Sequence, residues 1–129
     1  MFLKWLVYSG VSFIGLFAFQ WMLYTGTELS KTRVLFGYVF PSQYFFWFAW
    51  AAVMGIVLII PNSVSFYVIG LAYNEWFKKV WILSLTVFAT SAISTFLVAW
   101  LKFSEVPSKG SLVGLGFIIA GSLISVFWR

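Results

Sequence analysis

Few side chains in this sequence could carry out a reaction. Its 129 residues include no Cys, His or Asp, which excludes thiol and disulfide chemistry, His- or Cys-ligated metals and Ser-His-Asp triads. Three carboxylates remain, Glu28, Glu75 and Glu105, and none has a second acid or a His beside it to share acid-base work. The expectation is a protein that is not an enzyme and takes no cofactor or metal. The eight Lys and Arg residues occur singly or as the pair Lys78-Lys79. A nucleic-acid binder gathers such charges on one face, so no nucleic-acid partner is expected.

The polar groups that could hold a solute are therefore hydroxyls, one amide and a few surface charges. At 100° per residue, Ser9, Ser12 and Gln20 fall within about 80° of one another on a helix. Gln20 is the most polar of these, and in an apolar medium its amide needs a partner helix or a ligand. Ser84, Thr86, Thr90, Ser91, Ser94 and Thr95 cover about half of a second helix, broader than a packing seam needs. They either line a cavity or satisfy themselves on the carbonyl one turn back. Glu75, Lys78 and Lys79 stand where one helix gives way to the next, and the lysines could meet an anionic phosphate at a membrane surface. Candidate groove residues are thus Ser12, Gln20, Glu75, Lys78, Lys79, Thr90, Ser91 and Ser94. A separate set, Gly110, Gly114, Gly121 and Ser125 with Ser111 and Ser122, forms a small-residue face suited to close helix pairing.

Composition fixes the medium that must position these groups. Apolar residues make up 63% of the chain, aromatics 23% and charged residues 9%, against about 25% charged in soluble proteins. Four runs match a bilayer's thickness of about 30 Å: residues 5–24, 44–60, 80–101 and 111–128. The first is too long for a signal peptide, and no small-x-small cleavage site follows it. Residues 64–73 span only about 15 Å and cannot cross alone. With Pro61 in a first turn and Asn62 or Ser63 as cap, they read as a kinked extension of span two or an interfacial helix. Residues 33–40 read as a short apolar segment at the headgroup level. Tyr38, Tyr44, Trp76, Trp81, Trp100 and Trp128 near span ends form an interfacial belt. The expected fold is an all-α integral membrane protein: one domain, residues 1–129, with four transmembrane helices and a short extra helix between spans two and three.

Four spans place Lys4, Lys78, Lys79 and Arg129 on one face and Lys31, Arg33, Lys102 and Lys109 on the other. This tie leaves orientation unset by charge. Spacing further suggests local ion pairs of Glu28 with Lys31, Glu75 with Lys78 or Lys79, and Glu105 with Lys109. No span carries a charge at its middle, as an ion-coupled carrier would need.

Residues 92–129 resemble the last hairpin of the drug/metabolite transporter superfamily. That hairpin has an acidic, often Pro-bearing loop and a final helix of Val-Gly-x-x-x-Ile-x-x-Gly type, matched here by Glu105, Pro107, Gly114, Ile118 and Gly121. Four spans in a short chain is also the architecture of the small multidrug resistance proteins and the lipid-linked aminoarabinose flippase subunits. The resemblance implies transport of an amphipathic or lipid-linked substrate across a bacterial cytoplasmic (inner) membrane by a dimer. That dimer would be a homodimer, antiparallel if the chain inserts both ways, or a heterodimer with a similar small subunit. The multidrug proteins couple through a first-span glutamate, where this chain has Gln20, so proton coupling of that kind is not implied. The competing expectation is a non-transporting accessory or assembly subunit of a larger membrane complex. If the charge tie governs insertion, a dual topology reporter fused after Arg129 reports both orientations, and one added Lys on either face tips the ratio. A single orientation that ignores added charge would count against it.

Overall fold

A computed structural model describes residues 1–128. The described residues form five α-helices and one small hairpin: α1 Phe2–Ser30, β1 Val34–Leu35, β2 Tyr38–Val39, α2 Gln43–Val57, α3 Ile59–Leu71, α4 Val80–Phe103 and α5 Lys109–Phe127. A π-helical turn, Ala72–Phe77, continues α3. The all-α expectation holds. Helices α1, α4 and α5 are each long and apolar enough to cross a membrane, and α2 with α3 passes only as a bent pair.

Local sequence explains most of the boundaries. Pro41 and Pro107 precede the starts of α2 and α5, and at each start a serine hydroxyl accepts a backbone N–H: Ser42 from Phe45 at 3.4 Å, Ser108 from Ser111 at 3.1 Å. Helix α4 ends where Ser104 turns left-handed, φ 55°, and the Glu105 N–H reaches back to the Ala99 carbonyl at 3.2 Å. The break between α2 and α3 follows from Pro61, though it lies earlier than the sequence suggested. Proline clashes with the carbonyl four residues back, and that residue is Val57, the last of α2. Helix α3 restarts after Leu58 with Pro61 in its first turn, and neither Asn62 nor Ser63 serves as its cap.

The bend between α2 and α3 is 62°. Contacts with α1 nevertheless show that the pair makes one complete return. At its start the Gln43 side-chain amide donates to the Ser30 carbonyl at 2.7 Å, and at its end the Phe77 and Tyr8 rings lie 6.4 Å apart. Those points are 22 residues, or about 33 Å, apart along α1. A re-entrant loop would bring both ends to the same level. Residues 64–73 are therefore the second half of that return and not a separate short helix between spans. Helix α4 then runs parallel to α1, with Trp5 donating to Thr86 at 3.0 Å and Lys102 to Thr25 at 2.9 Å, and α5 comes back with Phe127 6.1 Å from Phe2. Among the described residues Lys4, Lys78 and Lys79 lie toward the Tyr8 end and Lys31, Arg33, Lys102 and Lys109 toward the other; the Arg129 of the four-against-four count lies outside them.

Two apolar clusters hold the bundle, one near each end of α1. Tyr8, Val68, Ala72, Phe77, Leu83 and Val126 form the first; Leu35, Phe46, Trp50, Met54 and Leu58 form the second. The second includes the hairpin, which the sequence reading missed. Its loop, Phe36-Gly37, has positive φ at both residues (50° and 80°), as a two-residue type I′ turn requires. Instead of lying as a featureless interfacial segment, residues 34–39 fold back and tuck Leu35 into the cluster.

The ion pairs also differ from those suggested by spacing. Glu28 binds Lys102 of α4 at 3.0 Å and not Lys31, since α1 ends at Ser30 while α4 delivers Lys102 alongside. Among the described residues Glu75 pairs with neither Lys78 nor Lys79, because Lys78 is left-handed (φ 56°) and the helical spacing ends there. Glu105 does not pair with Lys109: it precedes α5 in the loop, off the helix that i,i+4 pairing needs.

Gly26 is the tightest point of the second cluster. A Cβ there would strike the Trp50 indole, whose N–H donates to the Met22 carbonyl at 3.1 Å. Gly26→Val should lower stability in detergent by about 1–3 kcal/mol, as overpacking does. An unchanged thermal melt would show that Trp50 is not fixed against α1.

Candidate functional site

Polar side chains at helix interfaces fall into two classes. The first is satisfied within the bundle. Thr86, fully buried, accepts from the Trp5 indole N–H at 3.0 Å, lies 3.3 Å from the Ser122 hydroxyl and reaches the Ile82 carbonyl at 2.8 Å. This joins α1, α4 and α5 through one hydroxyl. Thr90 bonds the Thr86 carbonyl at 2.9 Å, and Ser94 bonds that of Ser91 at 2.9 Å. Both are buried, so Thr86, Thr90 and Ser94 are packed and self-satisfied, whereas Ser84 and Thr95 of the same helix are half-buried and line cavities.

The second class has no partner among the described residues. The Ser9 hydroxyl oxygen is buried and unbonded. Gln20 is half-buried and makes no hydrogen bond to another described residue. Asn62 and Ser65 also make none through their side chains, and they share a groove of ≈ 360 Å³ with Ser12, Leu16, Phe19 and Phe66. Gly15 makes the groove's floor possible, because a Cβ there would lie 2.7 Å from the Ser65 hydroxyl. Beyond Asn62 a second groove of ≈ 360 Å³ continues over the helix break past Trp47, Trp50, Met54 and Leu58. Phe19 and Asn62 line both grooves.

The position of this groove matters more than its size. Ser12, Gly15 and Phe19 lie near the middle of α1, so the break in the returning helix sits at the depth farthest from either end. The Val57 carbonyl there has no helical donor, since the residue four ahead is Pro61. The Asn62 amide and two serines, Ser12 and Ser65, thus face one apolar-walled groove at mid-depth. In hydrocarbon such groups seek a ligand, water or another helix, and interrupted helices near the midplane are where membrane carriers build their sites.

Of the eight groove candidates from the sequence, only Ser12 lines this groove. Thr90, Ser91 and Ser94 lie on α4, the first and last of them buried. Glu75, Lys78 and Lys79 are exposed together at the Tyr8 end. Asn62 and Ser65 were missed because Pro61-Asn62 read as punctuation, with Asn62 as a cap, and not as a break within a span. On α5, Gly110 and Gly114 are exposed and Gly121 half-buried, and a Cβ at Gly114 or Gly121 would meet nothing within 4 Å. Ser125 is half-buried and bonds the Ser122 carbonyl at 2.7 Å. The glycines of this face make no close contact within the chain, whereas Ser122 beside them is buried against Thr86 of α4.

The two hydroxyl classes give a direct comparison. Thr86→Val strands the Trp5 N–H and should cost about 1–2 kcal/mol, whereas Thr90→Val removes a bond to a carbonyl already used in the helix and should be nearly neutral. Equal losses in detergent unfolding would mean that Thr86 does not join three helices. No family model, curated protein or solved structure significantly matches the chain.

Proposed function

We propose that this chain is a small multi-pass membrane protein of the carrier or flippase type, moving an amphipathic or lipid-linked substrate across a cytoplasmic membrane. The observation that carries the reading is the break of the α2–α3 return at mid-depth, opening on a groove where Ser12, Asn62 and Ser65 are the polar groups. A polar head group would pass along the α1–α3 face and exchange water for these groups, while its apolar tail stays in lipid. Lys78 and Lys79, exposed at the Tyr8 end, would attract an anionic head group to the entrance. No step needs a charge buried at depth, in keeping with transport that is not proton-coupled through the first span. In this reading the molecule acts as a dimer, paired through the Gly121 end of the glycine face of α5.

A non-transporting accessory subunit is the second reading. It is favoured by that same face of α5, where the space around Gly114 and Gly121 is open to a helix of another protein. Purification separates the two: a carrier comes out as a self-contained dimer, an accessory subunit with a larger partner or as an aggregate.

The transport reading is tested in proteoliposomes with a fluorescent phospholipid whose outward movement is read by chemical quenching. The protein should speed that movement. Asn62→Leu should slow it about tenfold, the equivalent of one lost hydrogen bond of about 1.4 kcal/mol, while Thr90→Val leaves it unchanged. No acceleration by the wild-type protein, or equal rates for the wild type and Asn62→Leu, would count against this site.

A further inference from the structure

A third groove, on the other side of the bundle, has different chemistry. It lies between the last half of α4 and the first half of α5 and has a volume of ≈ 440 Å³, within the range of about 300–1,000 Å³ usual for ligand pockets. Ala92 and Ile118 lie at its deep end, Phe96 and Gly114 form its walls, and Glu105 and Ser111 stand at its rim in and just after the α4–α5 connection. The slot runs about 10 Å inward from Ser111 to Ile118, parallel to the helices, and below the rim Thr95 is its one polar lining residue. Glu105 is exposed and has no ion pair among the described residues. Lys109 starts α5 on the face opposite Ser111 and does not line the slot.

A largely apolar slot aligned with the membrane normal, with an unpaired carboxylate and a serine hydroxyl at its mouth, has the pattern of a lipid whose head group carries an ammonium. We infer that this slot binds one bilayer phospholipid with a primary-amine head group of the ethanolamine class. One acyl chain would lie between Phe96 and Gly114, the head-group ammonium would donate to Glu105, and the phosphate would face the Ser111 hydroxyl. Charge complementarity selects this occupant. An anionic glycerol head group would set its phosphate against Glu105 with no cation of its own. A choline head group carries the cation but has no N–H to donate. The inference does not depend on the α1–α3 groove, which lies on other helices and contains no charge.

Gly114 provides the test. A Cβ there meets nothing within 4 Å, so a larger side chain fills the slot without striking protein, and Gly116, equally open, lies outside the slot and serves as control. The full-length protein would be purified from mixed bilayers containing equal ethanolamine, choline and glycerol phospholipids, and retained lipid read by native mass spectrometry. The wild type should keep the ethanolamine lipid over the glycerol lipid by about threefold, the preference that an exposed charge pair supplies. Glu105→Gln should abolish the preference while still retaining lipid. Gly114→Leu should lose the bound lipid, and Gly116→Leu should retain it as the wild type does. Retention by Gly114→Leu, or no head-group preference in the wild type, overturns the assignment. So does a wild-type dimer that Gly114→Leu splits into monomers without any change in lipid, since a second copy would then be the occupant.

Discussion

Pro61 lacks an amide hydrogen, and in so apolar a bundle that missing donor decides how the chain is arranged around it. A continuous helix from Gln43 to Phe77 would return across the bundle straight, every backbone group satisfied. With proline at this position the Val57 carbonyl loses its donor, the helix breaks at Leu58, and the two halves diverge by 62°. The bend brings Met54 and Leu58 into one cluster and Val68 and Ala72 into the other. It also leaves Asn62 just past the break, facing the middle of α1. The groove and its unpaired polar groups are consequences of one residue's covalent structure.

Helix α1 is the axis against which that bend is held. At one end Trp5 and Tyr8 reach α4 through Thr86 and the Leu83 carbonyl; at the other Lys102 sits between Glu28, Thr25 and the Trp21 ring. The first end uses neutral hydrogen bonds within a buried cluster, the second an ion pair with Glu28 about half exposed. The pair is solvent-screened and adds little energy, but it is specific in register, fixing α4 against α1 with a long side chain whose stem stays apolar. The parallel course of α1 and α4 is thus set at both ends by chemically different contacts.

The helices were legible in the sequence because the period of charge is so simple. Runs without a charge mark α1, α4 and α5 to within a few residues, except that α1 continues through Thr25, Thr27 and Ser30, whose hydroxyls bond the carbonyls one turn back. The hairpin was not legible, because its turn uses Phe36 in a left-handed conformation where Asn or Asp is the usual signal. Asn62 and Ser65 carried a signal that was read for the wrong purpose. Proline marks both the end of a helix and a break within one, and only the depth at which α3 docks on α1 separates the two. The ion pairs were misread for a related reason: spacing along one helix says nothing of a lysine brought in by a parallel neighbour. For α4 the hydroxyls read as a cavity lining or as self-satisfied, and they divide: Thr90 and Ser94 bond the carbonyls one turn back, while Ser84 and Thr95 line cavities.

The crossing helices differ greatly in length. Helix α1 has 29 residues and α5 has 19, about 43 Å against about 28 Å. The excess of α1 is polar: Thr25, Thr27, Glu28 and Ser30 carry it about 9 Å past its apolar run, residues 5–24, which is nearly as long as residues 111–128. The apolar walls of the two helices are thus of similar height, and the end of α1 stands beyond them as a post. Lys102, through Glu28 and Thr25, and Gln43, through the Ser30 carbonyl, are both tied to that post.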